Sequence, residues 1–395
     1  MKKTKVTVSA VLALLIIFSL AACSRQSDAP EASESAFESQ TAEYTAETTV
    51  EETTEPTEPN SEYIKAIEAN MSLEEKVGQM FFVNCPDENA VESITKYRFG
   101  GFVLFSKDFD GKTAGEIQAE IQSYQSNSKI PMLFGVDEEG GEVVRVSSNP
   151  KLRETPFLSP KEYYKDGGMK AVINAENEKA DLLLSLGINV NLAPVCDVTK
   201  DEASFMYSRS FSDNTDKVSE YVTKTVEAYN AKGLGSVLKH FPGYGENTDT
   251  HTGSSVDNRS YAELANNDFL PFEAGIKAGA QAVMVSHSIV NSIDPDFPAS
   301  LSDKVHQVIR KDLNFKGVIM SDDLVMDAVS EYIGTENAAV AAVKGGNDIL
   351  CCSDFEAQYP AVLAAVQNGE IPEEQIDQSV MRILKWKQSL GILGF

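Results

Sequence analysis

Eight short apolar runs, each bounded by turn residues, limit what this chain can fold into more than any other feature. They fall at 77–83, 101–105, 132–136, 189–194, 236–239, 282–286, 317–321 and 348–352. Between several of them lie stretches with apolar positions at helical spacing: 115–127, 169–186, 217–232, 261–278 and 336–345. Short runs that are apolar throughout, rather than alternating, fit strands buried on both faces of a parallel sheet. Further helical periodicity covers 62–76, with Ser72 and Glu75 spaced as a capping box for a second short helix. It appears again at 373–390.

Eight strands in strand–helix order are what a single (β/α)8 barrel of the TIM type needs. Residues 61–395 are long for one domain, yet α/β barrels routinely reach this length. Two doubly wound halves are the competing arrangement. Polar residues favour the barrel. Asp137, His240, His287 and Asp322 each stand at or just past the end of a different run, and convergence on that face is how barrel enzymes build their sites.

The residues before this region read differently. Lys2, Lys3 and Lys5 precede an apolar stretch of signal-peptide length, which ends in Leu20-Ala21-Ala22-Cys23. That ending resembles a bacterial lipobox. Residues 1–22 are then a lipoprotein signal peptide, and Cys23 is the lipid-modified first residue anchored to the cell membrane. Residues 23–60 form a disordered linker rich in Glu, Ser, Thr and Pro, without periodic apolar positions. From 24 to 60, ten acids stand against Arg25, and the signal segment carries three lysines, so residues 61–395 hold about −20 of the net −26. So acidic a body argues against nucleic acid and against an electrostatic grip on anionic lipid. Cys85, Cys196, Cys351 and Cys352 lack metal-type spacing, and the last three sit in strand-like runs, so buried free thiols are expected.

Chemistry concentrates in Lys239-His240-Phe241-Pro242-Gly243-Tyr244-Gly245 and the following Asp249-Thr250-His251. Two of the chain's four histidines lie here, on a loop leaving an apolar run. A carboxylate two residues before a histidine can orient and polarise the imidazole. A metal held by His240, Asp249 and His251 has no supporting spacing, and no phosphate-cradling glycine loop follows an early strand, so neither metal nor cofactor is expected. In Ser321-Asp322-Asp323, one acid can serve as nucleophile or electrostatic stabiliser while its neighbour caps the next segment. Asp137, followed by a Gly pair and then Arg145, offers the mixed donors and acceptors that a sugar demands; a structural Asp–Arg brace is the bland alternative. Arg209 admits the same two readings. His287 serves equally well as a satisfied residue of the barrel mouth, and His306 reads as structural.

Segments 135–145, 191–198, 209–211, 239–251 and 321–326, in that order, together resemble glycoside hydrolase family 3, and within it the NagZ-like β-N-acetylhexosaminidases. The resemblance spans almost everything from Met71 to Phe395. It implies the same barrel, a nucleophile at Asp322, and a proton donor and acceptor at His251 tuned by Asp249. It further implies sugar contacts at Asp137, Arg145, Arg209, Lys239 and His240. Tyr244 departs from the pattern, since many relatives carry histidine there. Other family members place a carboxylate acid/base on a second domain; a chain ending at Phe395 is expected to find its own on a barrel loop. The function implied is a monomeric retaining exo-β-N-acetylglucosaminidase acting on cell-wall fragments, muropeptides or related glycans through a covalent glycosyl-aspartate. A β-glycoside phosphorylase or β-glucosidase with the same site, or a sugar-binding lipoprotein without turnover, are the alternatives.

Overall fold

The computed structural model describes residues 59–247, 249–250 and 253–394. The expected signal peptide, Cys23 and nearly all of the linker lie outside the described residues, as does His251.

Eight parallel strands form the sheet: β1 (Phe81–Asn84), β2 (Gly101–Leu104), β3 (Leu133–Val136), β4 (Val190–Asn191), β5 (Gly235–Phe241), β6 (Ala282–Val285), β7 (Val318–Ser321) and β8 (Leu350–Cys352). Hydrogen bonding runs β8–β1–β2–β3–β4–β5–β6–β7. A single parallel bridge, Met320 to Ile349, joins β7 to β8 and closes the ring. The barrel read from the apolar runs is therefore the fold, and the two-halved sheet is excluded.

Packing inside the ring explains two glycines. Gly101 stands in register with Phe82 on β1, Gly135 on β3 pairs with Val103, and both face the Phe82 ring. A Cβ at Gly135 would stand 2.4 Å from the Phe82 Cζ, and one at Gly101 would stand 2.7 Å from the ring edge. The large side chain on β1 thus requires its neighbours to have none.

Outside the ring, helices cover the strands with one face each. Thr215–Lys232 buries Val218, Tyr221, Val222, Thr225, Val226 and Tyr229, the spacing of a single helical stripe. Each buried aliphatic of this kind contributes about 1.5–3 kcal/mol, and a charge at Val222 would break the seam against Phe269–Lys277. Asn214 caps the helix start, its side chain accepting from the Lys217 N–H, and Gly233 ends it at φ +79°.

Several boundaries move from the sequence reading. Run 77–83 straddles two elements, because Val77 belongs to the helix Leu73–Gln79. The Ser72 capping box, in place as expected, starts that helix and carries it to Gln79. Segment 261–278 breaks into Tyr261–Asn266 and Phe269–Lys277, the interruption falling where Asp268 turns toward Arg259. Stretch 169–186 forms the second part of Pro160–Ser185 with its C-cap Leu186, a helix that kinks at Gly167 and Gly168. Phe355–Gln367, a helix that the periodicity had not marked, carries Pro360 in its second turn. Cys85, Cys196, Cys351 and Cys352 are buried free thiols. Among the described residues no helix is long and apolar enough to cross a membrane.

Candidate active site

The C-terminal ends of the strands open into a cavity of about 520 Å3. Every strand brings at least one residue to it: Asn84, Phe105, Asp137, Leu192, Lys239, Met284, Asp322 and Cys351, in strand order. Glu139, Arg145, Arg209, His240 and Asp323 complete the polar lining. A larger cavity of about 680 Å3 lies beyond residues 245–247 and contains none of these groups. Chemistry, not size, selects the first.

One wall is an ion-paired network. Lys239 Nζ lies 2.5 Å from Asp137 Oδ1 and 2.6 Å from Glu139 Oε1. Arg209 grips Glu139 through two bonds, Nε to Oε2 at 3.0 Å and Nη2 to Oε1 at 2.7 Å. Burial alone would push the Glu139 carboxyl up, but Arg209 and then Lys239 hold it well below the usual carboxylate range. Burial works against the charge on Lys239 as well, and Asp137 and Glu139 overcome it, so its ammonium titrates above the ordinary lysine value. The wall enters any reaction with its charges fixed.

His240 is set by Asp197, which is fully buried. Asp197 Oδ2 lies 2.9 Å from His240 Nδ1 and accepts from the His240 N–H at 3.1 Å, while Oδ1 accepts from the Tyr244 N–H at 2.7 Å. His240 Nε2 thereby turns toward the cavity wall, 3.3 Å from Arg209 Nη2. The peptide bonds Ala193–Pro194, Lys239–His240 and Phe241–Pro242 are cis.

Arg145 stands apart from this network. Its backbone is fixed, because the buried Glu138 carboxylate accepts from the N–H groups of Arg145 and Val146 at 2.8 and 2.7 Å. The guanidinium lines the cavity, and its buried Nε has no hydrogen-bond partner. A structural Asp137–Arg145 brace is therefore not what the fold builds. Asp137 pairs with Lys239 instead, and Arg145 keeps a donor for something else.

The adjacent acid pair after β7 also lines the cavity, and its two members differ in their partners. Asp322 Oδ1 accepts from the Asp323 N–H at 2.9 Å, and Asp323 is bound into the surrounding loops. The Asp323 carboxylate accepts from Asn84 Nδ2 at 3.2 Å, from the N–H groups of Val325 and Ser353 at 3.2 Å each, and from the Ser353 hydroxyl. Asp322 lines the cavity beside it, its backbone N–H bonded to the Val285 carbonyl at 3.1 Å. His287 supports this loop from behind: Nδ1 lies 2.7 Å from Ser300 Oγ and Nε2 lies 2.9 Å from the Asp323 carbonyl oxygen. It is the satisfied barrel-mouth histidine, and His306 is likewise buried, its Nδ1 2.8 Å from the Ser302 carbonyl.

The sequence that builds this barrel matches a known family. The profile described as "Glycosyl hydrolase family 3 N terminal domain" matches residues 72–386. The chain belongs to glycosyl hydrolase family 3. Among its family-3 relatives is the beta-hexosaminidase of Xanthomonas campestris, 33% identical over 300 residues, which cover 74% of this chain and 85% of that protein. Beta-hexosaminidase A of Pseudoalteromonas piscicida is 31% identical over 330 residues, 76% of this chain but 55% of that protein. Among solved structures, a family-3 beta-N-acetylglucosaminidase from Paenibacillus superposes with TM-score 0.76 at 29% identity, over 82% of this chain and 63% of that one. LpqI of Mycobacterium tuberculosis gives 0.74 at 27%, over 82% and 96%. The chain thus spans little more than half of some relatives and most of others.

The family-3 barrel brings Asp137, Arg145, Arg209, Lys239, His240 and Asp322 to one cavity. Asp249 lies on the loop that follows β5, and His251 lies outside the described residues. That loop is tied at both ends. Arg259 donates to the Gly243 carbonyl at 2.8 Å, to Asp268 at 2.8 Å and to Asp257 at 2.6 Å. Tyr244 and Thr250 meet through their hydroxyls at 2.6 Å. Sequence reasoning gave no role to Glu139 or Asp197, the two acids that orient the binding wall. Each sits inside a segment that carries the family resemblance, and that placement was the signal available.

Proposed function

We propose that this family-3 barrel is a retaining exo-β-N-acetylglucosaminidase, removing terminal β-linked N-acetylglucosamine from cell-wall fragments or related glycans. The observation that carries this reading is the lining of one cavity. Donors and acceptors at Asp137, Arg145, Arg209, Lys239 and His240 share it with Asp322. A sugar ring held by these donors and acceptors presents its anomeric carbon to the Asp322 carboxylate. Relatives named beta-hexosaminidase support the choice of an N-acetylated sugar.

In the first half-reaction the Asp322 carboxylate forms a bond to the anomeric carbon while the glycosidic bond breaks. His251 passes its proton to the departing oxygen. In the second half His251 takes a proton from water, whose oxygen attacks the same carbon and releases Asp322, so the configuration is retained. An imidazole titrates near neutrality, and the Asp249 carboxylate favours its charged, acid form.

Release of nitrophenol from 4-nitrophenyl β-N-acetylglucosaminide, and its loss in Asp322→Asn, tests the assignment. A preference for the plain β-glucoside would overturn it, and accumulation of a sugar 1-phosphate when phosphate is added would identify a phosphorylase instead.

We read residues 1–22 as a cleaved signal, Cys23 as the lipid attachment site and 23–60 as a tether, with 61–395 as the catalytic barrel. A flexible chain of this length reaches on the order of 30 Å from its anchor. Detergent-phase partitioning of the mature protein, lost in Cys23→Ala, checks the anchor.

A further inference from the structure

Tyr244 occupies a position that neither binds the sugar nor transfers a proton in the reading above, yet it touches both parts of the site. Its N–H is held by Asp197, the residue that also holds the His240 ring. Its ring packs edge-on against His240, centroids 5.2 Å apart at 63°, and against Phe205 at 5.0 Å and 81°. Val195 and Met206 join it in a small apolar cluster. Backbone and ring are thus both fixed, and with them the place of the phenol oxygen. That oxygen meets Thr250 Oγ1 at 2.6 Å. Tyr244 is 1% exposed and Thr250 fully buried, so neither hydroxyl can exchange this partner for bulk water.

Thr250 follows Asp249 directly and precedes His251. Fixing its side chain in the core fixes the course of the backbone at Asp249. Burial, with the nearby Asp322 charge, pushes the Tyr244 phenol well above its ordinary range, so it remains a neutral O–H through the working pH range.

We propose that the buried Tyr244–Thr250 hydroxyl pair is the positioning latch of the proton-transfer loop, fixing Asp249 relative to the sugar-holding groups. This rests on the acid/base assignment made above. Both residues act through others and are positioning residues. The latch also gives a reason for tyrosine at 244, because its phenol oxygen reaches Thr250 from a ring seated on His240.

Leaving-group dependence isolates the effect. A 2,4-dinitrophenyl β-N-acetylglucosaminide expels its phenolate without protonation, whereas the phenyl glycoside needs the proton. kcat/KM reports only steps through the first bond cleavage, so it is blind to the later attack of water. General acid catalysis is worth roughly 10²–10⁴ in rate, and misplacing the donor forfeits part of it. Tyr244→Phe and Thr250→Val in the full-length protein should each lower kcat/KM for the phenyl glycoside about tenfold or more, and leave the dinitrophenyl glycoside within about twofold. The double variant should be no worse than either single, and Thr250→Ser, which keeps the hydroxyl, should restore most of the loss.

Equal losses on both substrates, additive losses in the double variant, or no loss at all would overturn the latch. His251→Ala separates this from failure of the underlying reading. If it too lacks leaving-group dependence, the acid/base assignment falls. If it shows the dependence and Tyr244→Phe does not, only the latch does.

Discussion

The mouth of the barrel and its floor treat buried charge in opposite ways. At the mouth, Asp137, Lys239, Glu139 and Arg209 sit within bonding distance of one another, and the cations more than offset what burial does to Glu139. At the floor below β1 and β2, the fully buried Lys387 ammonium meets an amide: Nζ donates to Gln79 Oε1 at 2.6 Å. Gln79 spends its own N–H groups on the carbonyls of Arg98 and Phe99. Burial brings Lys387 down to about 7, so near neutrality it readily gives up its charge. The contrast separates charge held by partners of opposite sign from charge that stands beside an amide. A network of opposite signs stays ionised at the mouth, whereas a single group beside an amide adapts by losing its proton.

The largest test of the contrast lies at Asp322, which shares the cavity with the network. Asp322→Asn should lower hydrolysis of both activated and unactivated aryl glycosides by on the order of 10⁴ or more, with little change in melting temperature. Rates on the two substrates and one thermal melt check it.

Within the network, Glu139→Gln leaves two buried cations short of a counter-charge. Loss of one member of a buried pair costs about 3–5 kcal/mol, which should appear in denaturant unfolding together with a raised KM. The pH dependence has a definite sign. Because the folded carboxyl titrates below its ordinary 4.5, the stability that it confers is complete above that value and drains away as pH falls beneath it. The variant should lose this acid sensitivity.

Arg145→Met should separate binding from folding. It removes the guanidinium whose Nε has no protein partner, so kcat/KM should drop about tenfold while the melt moves little. A large loss of stability would place Arg145 in the framework instead.

The smallest effect belongs to the floor. Between about 7 and the ordinary lysine value of 10.5 the unfolded chain binds more protons at Lys387 than the folded one, so stability rises with pH across that window. Lys387→Met should flatten the rise and leave hydrolysis unchanged. Melts at several pH values, with one rate at each, are sufficient.

Much of this was legible in the sequence. Buried parallel strands leave uninterrupted apolar runs, so all eight appeared; of the residues placed at their ends, Asp137, His240 and Asp322 line one cavity, and His287 lies behind it. Asp137, Arg145, Arg209, Lys239, His240 and Asp322 could be named because each has a functional side chain at a strand end or inside a recognisable segment. Pairing was not legible. Glu139 meets Arg209 across 70 positions, and Asp197 meets His240 across 43. Spacing along the chain carries no information about such contacts; the crossing of loops at the mouth decides them. The same limit hid the difference in partners between Asp322 and Asp323: Asn84 and Ser353, far apart in the chain, converge on Asp323.

The closure of the ring carries a consequence for how the protein comes into being. The joint between β7 and β8 is one bridge, and the side chain of Asp323 stitches across it to Ser353 directly beside Asp322. A chain still emerging from the ribosome carries Asp137, Glu139, Arg209 and Lys239 once β5 is made. The partners that hold Asp323 are complete only when residue 353 arrives. The last strand is therefore the keystone of the loop that bears Asp322.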